Sequence, residues 1–143
     1  MAATSRATSV WEGDLASGAG RVNVESGSFP EFPVTWASRA ERQKGTTSPE
    51  ELLAAAHAAC FSMAFSNGLS KAGHKAERLT TTAAVEFVPG KGISTITLDV
   101  AGRVAGISAV EFEALAAAAK DGCPVSMALK GNVDLRLQAR LES

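Results

Sequence analysis

Two cysteines and two histidines give this chain its widest chemical range. Cys60 opens the apolar hexapeptide CFSMAF, and Cys123 lies 63 positions on, in DGCPVS. Two such thiols have four uses: packing as small hydrophobes, a structural bridge, metal ligation, or paired redox chemistry. Packing is the ordinary fate of a cysteine in an Ala-rich helix. Zinc needs about four N, S or O ligands. Here only two Cys and two His exist, and although His57 and Cys60 stand at i, i+3, His74 falls past the helix end and no CxxC occurs. Metal binding is therefore disfavoured, and His57 reads as packed, hydrogen-bonded to backbone or solvent.

Redox chemistry asks for a thiolate, a group that stabilises it, and a second thiol to resolve a sulfenic acid. Cys123 sits where a short helix starts, and helix N–H groups favour negative charge there. Cys60 has no such help, being about eleven residues inside its own helix. A cation from another segment must serve it, and Arg39 and Arg42 of SRAERQKG both qualify. Glu50 lies ten residues before Cys60, about 15 Å up the same helix at about 1.5 Å per residue. It cannot serve its own Cys60, but a helix crossing a two-fold axis would bring Glu50 of one chain towards Cys60 of another.

The elements that position these groups are legible in local patterns. Residues 8–14 and 20–26 read as two strands joined through LASGA, with Val22 and Val24 alternating with polar neighbours. GSFPEFP breaks the pattern, and VTWAS (34–38) is a candidate third strand. Ser48, Pro49 and Glu51 then spell a helix start with a capping box. From Leu52 to Ser70 no residue carries a formal charge, and Gly73 stops the run. A helix apolar all round is a buried one. A chain this short has little mass to enclose it, which points to an obligate homodimer with this helix as shared core. Thr-, Val- and Ile-rich strands follow at 76–88 and 93–104 around a PGKG turn. Ser108 and Glu111 open a helix over 109–121; CPVSMALK is a short helix with Cys123 at its N-cap and Pro124 at N1; and 132–141 alternates as a closing strand. Strands around a central helix, without a βαβ repeat, make the class α+β.

At 143 residues, with 45% hydrophobic, 20% charged and 6% aromatic content and no tyrosine, the chain suits one globular domain over 1–143 with an Ala/Val/Leu/Ile core. A net charge of −1 without a Lys/Arg run gives no footprint for nucleic acid. No apolar stretch is read as long enough to span a membrane, and MAATSRATSVWEGD lacks a secretory h-region. A cytoplasmic location is expected, where two cysteines are seldom a permanent staple.

WEGD (11–14), ESG (25–27), KGTTSPEELLAAAHAACFSMA (44–64) and GCPVS (122–126) together resemble the OsmC branch of the OsmC/Ohr family, nearly end to end. The resemblance implies an intertwined α+β homodimer of antiparallel sheets packed around the long central helix, with two active sites at the subunit interface. It also implies a thiol-dependent peroxidase acting on organic hydroperoxides, with hydrogen peroxide left open, in antioxidant defence. Cys60 matches the peroxidatic cysteine, Cys123 the resolving cysteine, Glu50 the acidic partner of the active-site arginine, and Arg39 that arginine. KGTTSPEE is one residue longer than the family's usual KGTNPEE, so Arg42 stays as the alternative arginine. No cofactor or metal is implied, only an external dithiol or thiol, a lipoyl-type reductant among them. Phe61, Met63, Phe65, Phe29 and Phe32 are candidates to line a peroxide channel. The competing readings are a general thiol–disulfide oxidoreductase, for which the usual CxxC is absent, and a non-catalytic dimeric binding or stress protein.

Overall fold

In a computed structural model, which describes residues 2–142, the chain divides between Leu52 and Leu53 into two compact units. The first holds a fully antiparallel sheet in the order β1 (Ala7–Glu12), β2 (Ala19–Val24), β3 (Phe32–Val34). It also holds a helix, α1 (Trp36–Glu41), where a third strand had been expected from VTWAS. The strand ends at Val34 because Thr35 and Ser38 close a reciprocal cap. Ser38 N–H donates to Thr35 Oγ1 at 3.0 Å, and Thr35 N–H donates to Ser38 Oγ at 3.0 Å. Six residues carry too weak a helical period to be read against a β-branched start. Arg42 ends α1 in the left-handed region, at φ 59°.

The long helix α2 (Pro49–Lys71) begins in the first unit and runs on through the second. Ser48 Oγ accepts from Glu51 N–H at 3.1 Å, the expected N-cap bond. The Glu51 carboxylate accepts from the Thr47 hydroxyl at 2.8 Å. At the other end Gly73 takes φ 89°, and the bonds His74 N–H to Leu69 O and Gly73 N–H to Ser70 O make a Schellman stop.

In the second unit β4 (Ala76–Val88), β5 (Gly92–Val104) and β6 (Asp134–Glu142) form a sheet in that order. β4 and β5 are an antiparallel hairpin, but β6 runs parallel to β5, unlike the antiparallel sheets expected. The intervening helices α3 (Ala109–Gly122) and α4 (Pro124–Leu129) explain it. A helical crossover carries the chain back to the end where β5 began, and the next strand is then parallel.

The core of this unit packs α2 and α3 on β5. Phe61, Phe65 and Leu69, one stripe at i, i+4, i+8, meet Leu98, Val100 and Val104, with Phe112 and Ala116 from α3. Phe65 lies 5.0 Å from Phe112, ring centre to ring centre, and 5.6 Å from Phe61. Phe61 and Phe65 are therefore core and line no channel. Gly102 lets Phe112 lie close on the sheet, where a Cβ would come within 2.6 Å of the ring. Ser62 of α2 donates to Thr81 of β4 at 2.8 Å and fixes the helix over the hairpin.

Two expectations about α2 are corrected. It is not buried on all sides: His57, Phe61, Phe65 and Leu69 are buried, whereas Ala55, Ala56, Ala59 and Met63 are exposed, since one chain supplies packing partners for a single stripe. By length and composition alone, α2 is also long and apolar enough to cross a membrane, which the sequence reading had excluded. Its Phe61–Phe65–Leu69 stripe is nonetheless spent on the core of the second unit.

Candidate active site

The first unit holds the arginine and the acid. Arg39 occupies the last turn of α1, and Glu50 the first turn of α2. The segment between them is tied down by Ser38 Oγ, which donates to Thr47 O at 2.9 Å, and by Thr47 N–H, which donates to Pro33 O at 3.0 Å. Arg39 Nε then donates to both carboxylate oxygens of Glu50, at 2.5 and 3.2 Å, with the carboxylate side chain only 3% exposed. Of the two arginines left open by the sequence, Arg39 makes this pair, while Arg42 is the helix cap. The Arg39 guanidinium also stands 5.9 Å from the Trp36 ring centre.

Beside this pair opens a cleft of about 500 Å³ with Trp11, Leu15, Val22, Trp36 and Leu52 among its walls and Arg39 at its edge. It is apolar with one cation, the composition of a site for an apolar molecule carrying a polar end. Phe29 and Phe32 pair with each other at 5.6 Å, and Met63 is 73% exposed.

The second unit holds both thiols, free and in contact. Cys60 is partly buried at the middle of α2, and Cys123 is fully buried at the N-cap of α4, as its Pro124 start predicts. Around Cys60, burial pushes the thiol pKa up. The Val125 backbone N–H donates to its sulfur and works the other way, while the hydrogen-bonded Cys123 thiol adds to the rise. Among the described residues burial and Cys123 outweigh the Val125 N–H, so the net effect on the Cys60 thiol is upward, which agrees with the need for a cation read from its mid-helix position.

Cys123 is embedded in hydrogen bonds that the sequence did not disclose. Ser126 N–H donates to its sulfur at 3.4 Å, and Ser126 Oγ lies 3.2 Å from it. Ser126 Oγ in turn lies 2.8 Å from His57 Nε2, across 69 positions of sequence. His57 thus bonds a side chain, where backbone or solvent had been expected. Burial holds its pKa below the ordinary imidazole value. Ser126 was missed altogether. The signal for it was present, since a residue three past an N-cap offers its N–H back to the capping side chain.

Residues 42–138 match the family model described as OsmC-like protein. The chain is also 44% identical over 133 residues to Peroxiredoxin OsmC of Escherichia coli strain K12, an alignment covering 91% of this chain and 92% of that one. The chain belongs to the OsmC-like family. Within that family it is 36% identical over 104 residues to the organic hydroperoxide resistance protein OhrA of Bacillus subtilis strain 168, covering 70% of this chain and 72% of that one. Among solved structures, an organic hydroperoxide resistance protein OsmC from Legionella pneumophila superposes with a TM-score of 0.71 at 28% identity, covering 96% and 97% of the two chains. The OsmC-like α+β fold is therefore the fold of this chain, with its two small sheets and long helix.

Proposed function

We propose that Cys60 and Cys123 carry thiol-dependent hydroperoxide reduction in this OsmC-like protein, with Cys60 the attacking and Cys123 the resolving thiol. The observation that carries the reading is the meeting of two free cysteines from α2 and the start of α4, Cys60 packed against the core cluster that holds Cys123 and its thiol pushed up in part by Cys123. The Cys60 thiolate attacks the terminal oxygen of the peroxide. The O–O bond breaks, an alkoxide leaves and takes up a proton, and Cys60 is left as sulfenic acid. The Cys123 sulfur then displaces that hydroxyl as water, forming the Cys60–Cys123 disulfide. An external dithiol or thiol, a lipoyl-type one included, reduces the disulfide and completes the cycle.

A second copy of the chain supplies Arg39 and Glu50 to Cys60. The exposed Ala55, Ala56, Ala59 and Met63 face of α2 supports such a homodimer, as does the net upward push on the Cys60 thiol within the chain. The Glu50 carboxylate holds the guanidinium, which lowers the Cys60 pKa and steadies the departing oxygen. The apolar cleft at Arg39 supports an organic hydroperoxide as substrate, with hydrogen peroxide a smaller alternative. No prosthetic group takes part, and the site of action is cytoplasmic. Turnover of cumene or tert-butyl hydroperoxide with dithiothreitol tests the reading. Cys60→Ser must abolish it, and Cys123→Ser must let a Cys60 sulfenic acid be trapped. Peroxide consumption that survives Cys60→Ser overturns the assignment.

A further inference from the structure

His57 is a fully buried titratable side chain with no part in the reaction as written above. Ser126 is 1% exposed and Cys123 fully buried. Their polar atoms stand in line, His57 Nε2 at 2.8 Å from Ser126 Oγ and Ser126 Oγ at 3.2 Å from Cys123 Sγ. The two ends of this line sit on the segments that carry the thiols. His57 is three residues before Cys60 on α2, and Ser126 is three after Cys123 on α4. A buried imidazole alone in a core is usually a satisfied one, yet among the described residues His57 Nδ1 has no partner. That atom decides the direction of the line. A buried N–H left without an acceptor is rarer than an acceptor left without a donor. The proton therefore belongs on Nε2, which donates to Ser126 Oγ, and the Ser126 hydroxyl donates to Cys123 Sγ.

We propose that His57 and Ser126 are positioning residues for the resolving thiol, a donor chain ending on Cys123 that orients its sulfur and stabilises its negative charge for attack on the Cys60 sulfenic acid. The proposal rests on the functional reading above and adds a separate support for the second half of the cycle. Arg39 serves Cys60; His57 and Ser126 serve Cys123. The sulfur of Cys123 then has two donors from one residue, the Ser126 N–H and the Ser126 hydroxyl. Cys60 and His57 are the titratable groups that face this cluster from α2. In the step itself Cys123 gives up its thiol proton and its sulfur forms a bond to Cys60 Sγ. The Cys60 S–O bond breaks, and the hydroxide leaves with a proton as one water. Cys123 is oxidised and the Cys60 sulfenic sulfur reduced, so no outside reagent enters.

The test separates the two halves of the cycle in single-turnover measurements with cumene hydroperoxide. Ser126→Ala and His57→Leu are expected to form Cys60 sulfenic acid at the wild-type rate and to close the disulfide roughly ten- to a hundredfold more slowly. That range is what losing one hydrogen bond to a charged group is worth. His57→Gln keeps an N–H donor and is expected to recover most of the closure rate, which a purely structural role for His57 would not predict. Should His57→Leu fail to fold, Ser126→Ala carries the comparison. In a Cys60→Ser background, where no disulfide can form, Ser126→Ala is expected to reduce the thiolate ultraviolet absorbance of Cys123 at a fixed pH. Closure at the wild-type rate in Ser126→Ala, with unchanged Cys123 thiolate absorbance, overturns the proposal. So does a folded His57→Gln that closes as slowly as His57→Leu. If the wild type forms no sulfenic acid at all, the functional reading fails on its own, and the Cys123 thiolate absorbance still decides whether the donor chain exists.

Discussion

Arg39 donates through one atom, Nε, to both oxygens of the Glu50 carboxylate, at 2.5 and 3.2 Å, and Glu50 is almost wholly buried while Arg39 stays one-third exposed. The pair is thus lopsided: the acid is cut off from water while the arginine keeps contact with it. Arg39→Ala strands a buried carboxylate and is expected to cost about 3 kcal/mol in urea unfolding, at the lower end for broken buried pairs. Arg39→Ala combined with Glu50→Gln is expected to recover much of that, because the stranded charge is gone. Arg42→Gly, at the left-handed cap of α1, is expected to be neutral or slightly stabilising, since glycine takes φ 59° without strain. Equal losses in Arg39→Ala and Arg42→Gly would contradict this assignment of roles.

Met63 is the large side chain on the exposed face of α2, at 73% exposure. If a second copy covers that face, Met63→Glu places an unpaired charge in the contact, at a cost of several kcal/mol. The expected outcome is a folded monomer by light scattering with hydroperoxide turnover reduced at least about tenfold. A Met63→Glu protein that stays dimeric and fully active would place the interface elsewhere.

Cys60 has a thiol held above its ordinary value of 9.0 within the chain, first by burial and then by Cys123. Removing Cys123 as Cys123→Ala is expected to lower the Cys60 titration, because both of its contributions act upward. In the Met63→Glu monomer the titration is expected above 9.0, and in the assembled protein well below it, since a guanidinium favours the thiolate. Thiolate ultraviolet absorbance against pH makes both comparisons. Identical titrations in monomer and dimer would remove Arg39 from the activation of Cys60.

His57 links stability to pH. Unfolded, it takes up its proton near the ordinary value of 6.5; folded, burial holds its pKa below that. The unfolded chain therefore binds more protons as pH falls through 6.5. The His57 contribution is fully present above that value and declines until the lower folded pKa is reached. Urea midpoints at about pH 8 and about pH 5 are expected to differ more in wild type than in His57→Gln, by up to about 1.4 kcal/mol per unit of depression. A larger acid loss in His57→Gln than in wild type would reverse the sign.

Gly102 has no room for a methyl group beneath Phe112. Gly102→Ala is expected to destabilise by about 1–3 kcal/mol through overpacking, measured by thermal unfolding. Gly68, which meets nothing nearby, serves as the control in Gly68→Ala. There the helix interior favours alanine by roughly 1 kcal/mol. Equal effects at the two glycines would dismiss the close approach as the cause.

Most of the second unit was legible in advance. The strand at 76–88 matches β4 at both ends, and the helix expected over 109–121 is α3 to within one residue. Both rest on signals in or next to the element: a Thr- and Val-rich run, a capping serine, a closing glycine. The short helix α1 was missed because its one decisive feature, the reciprocal Thr35–Ser38 cap, competes with a β-branched start and too few residues for periodicity. The parallel pairing of β6 was not legible either, since a strand's direction follows from the crossover before it and not from its own alternation.

The sequence by itself determined which atoms can do chemistry here. It holds two thiols, one mid-helix and one at a helix start, and an acid beyond reach of its own thiol by the fixed rise of a helix. The tertiary structure alone decided which groups meet. It paired Arg39 and not Arg42 with Glu50, and it joined His57 to Ser126 across 69 positions. Caps and periods act within a few residues and are written locally. A hydrogen bond between distant side chains exists only once packing has set two elements side by side, and no local pattern records that distance.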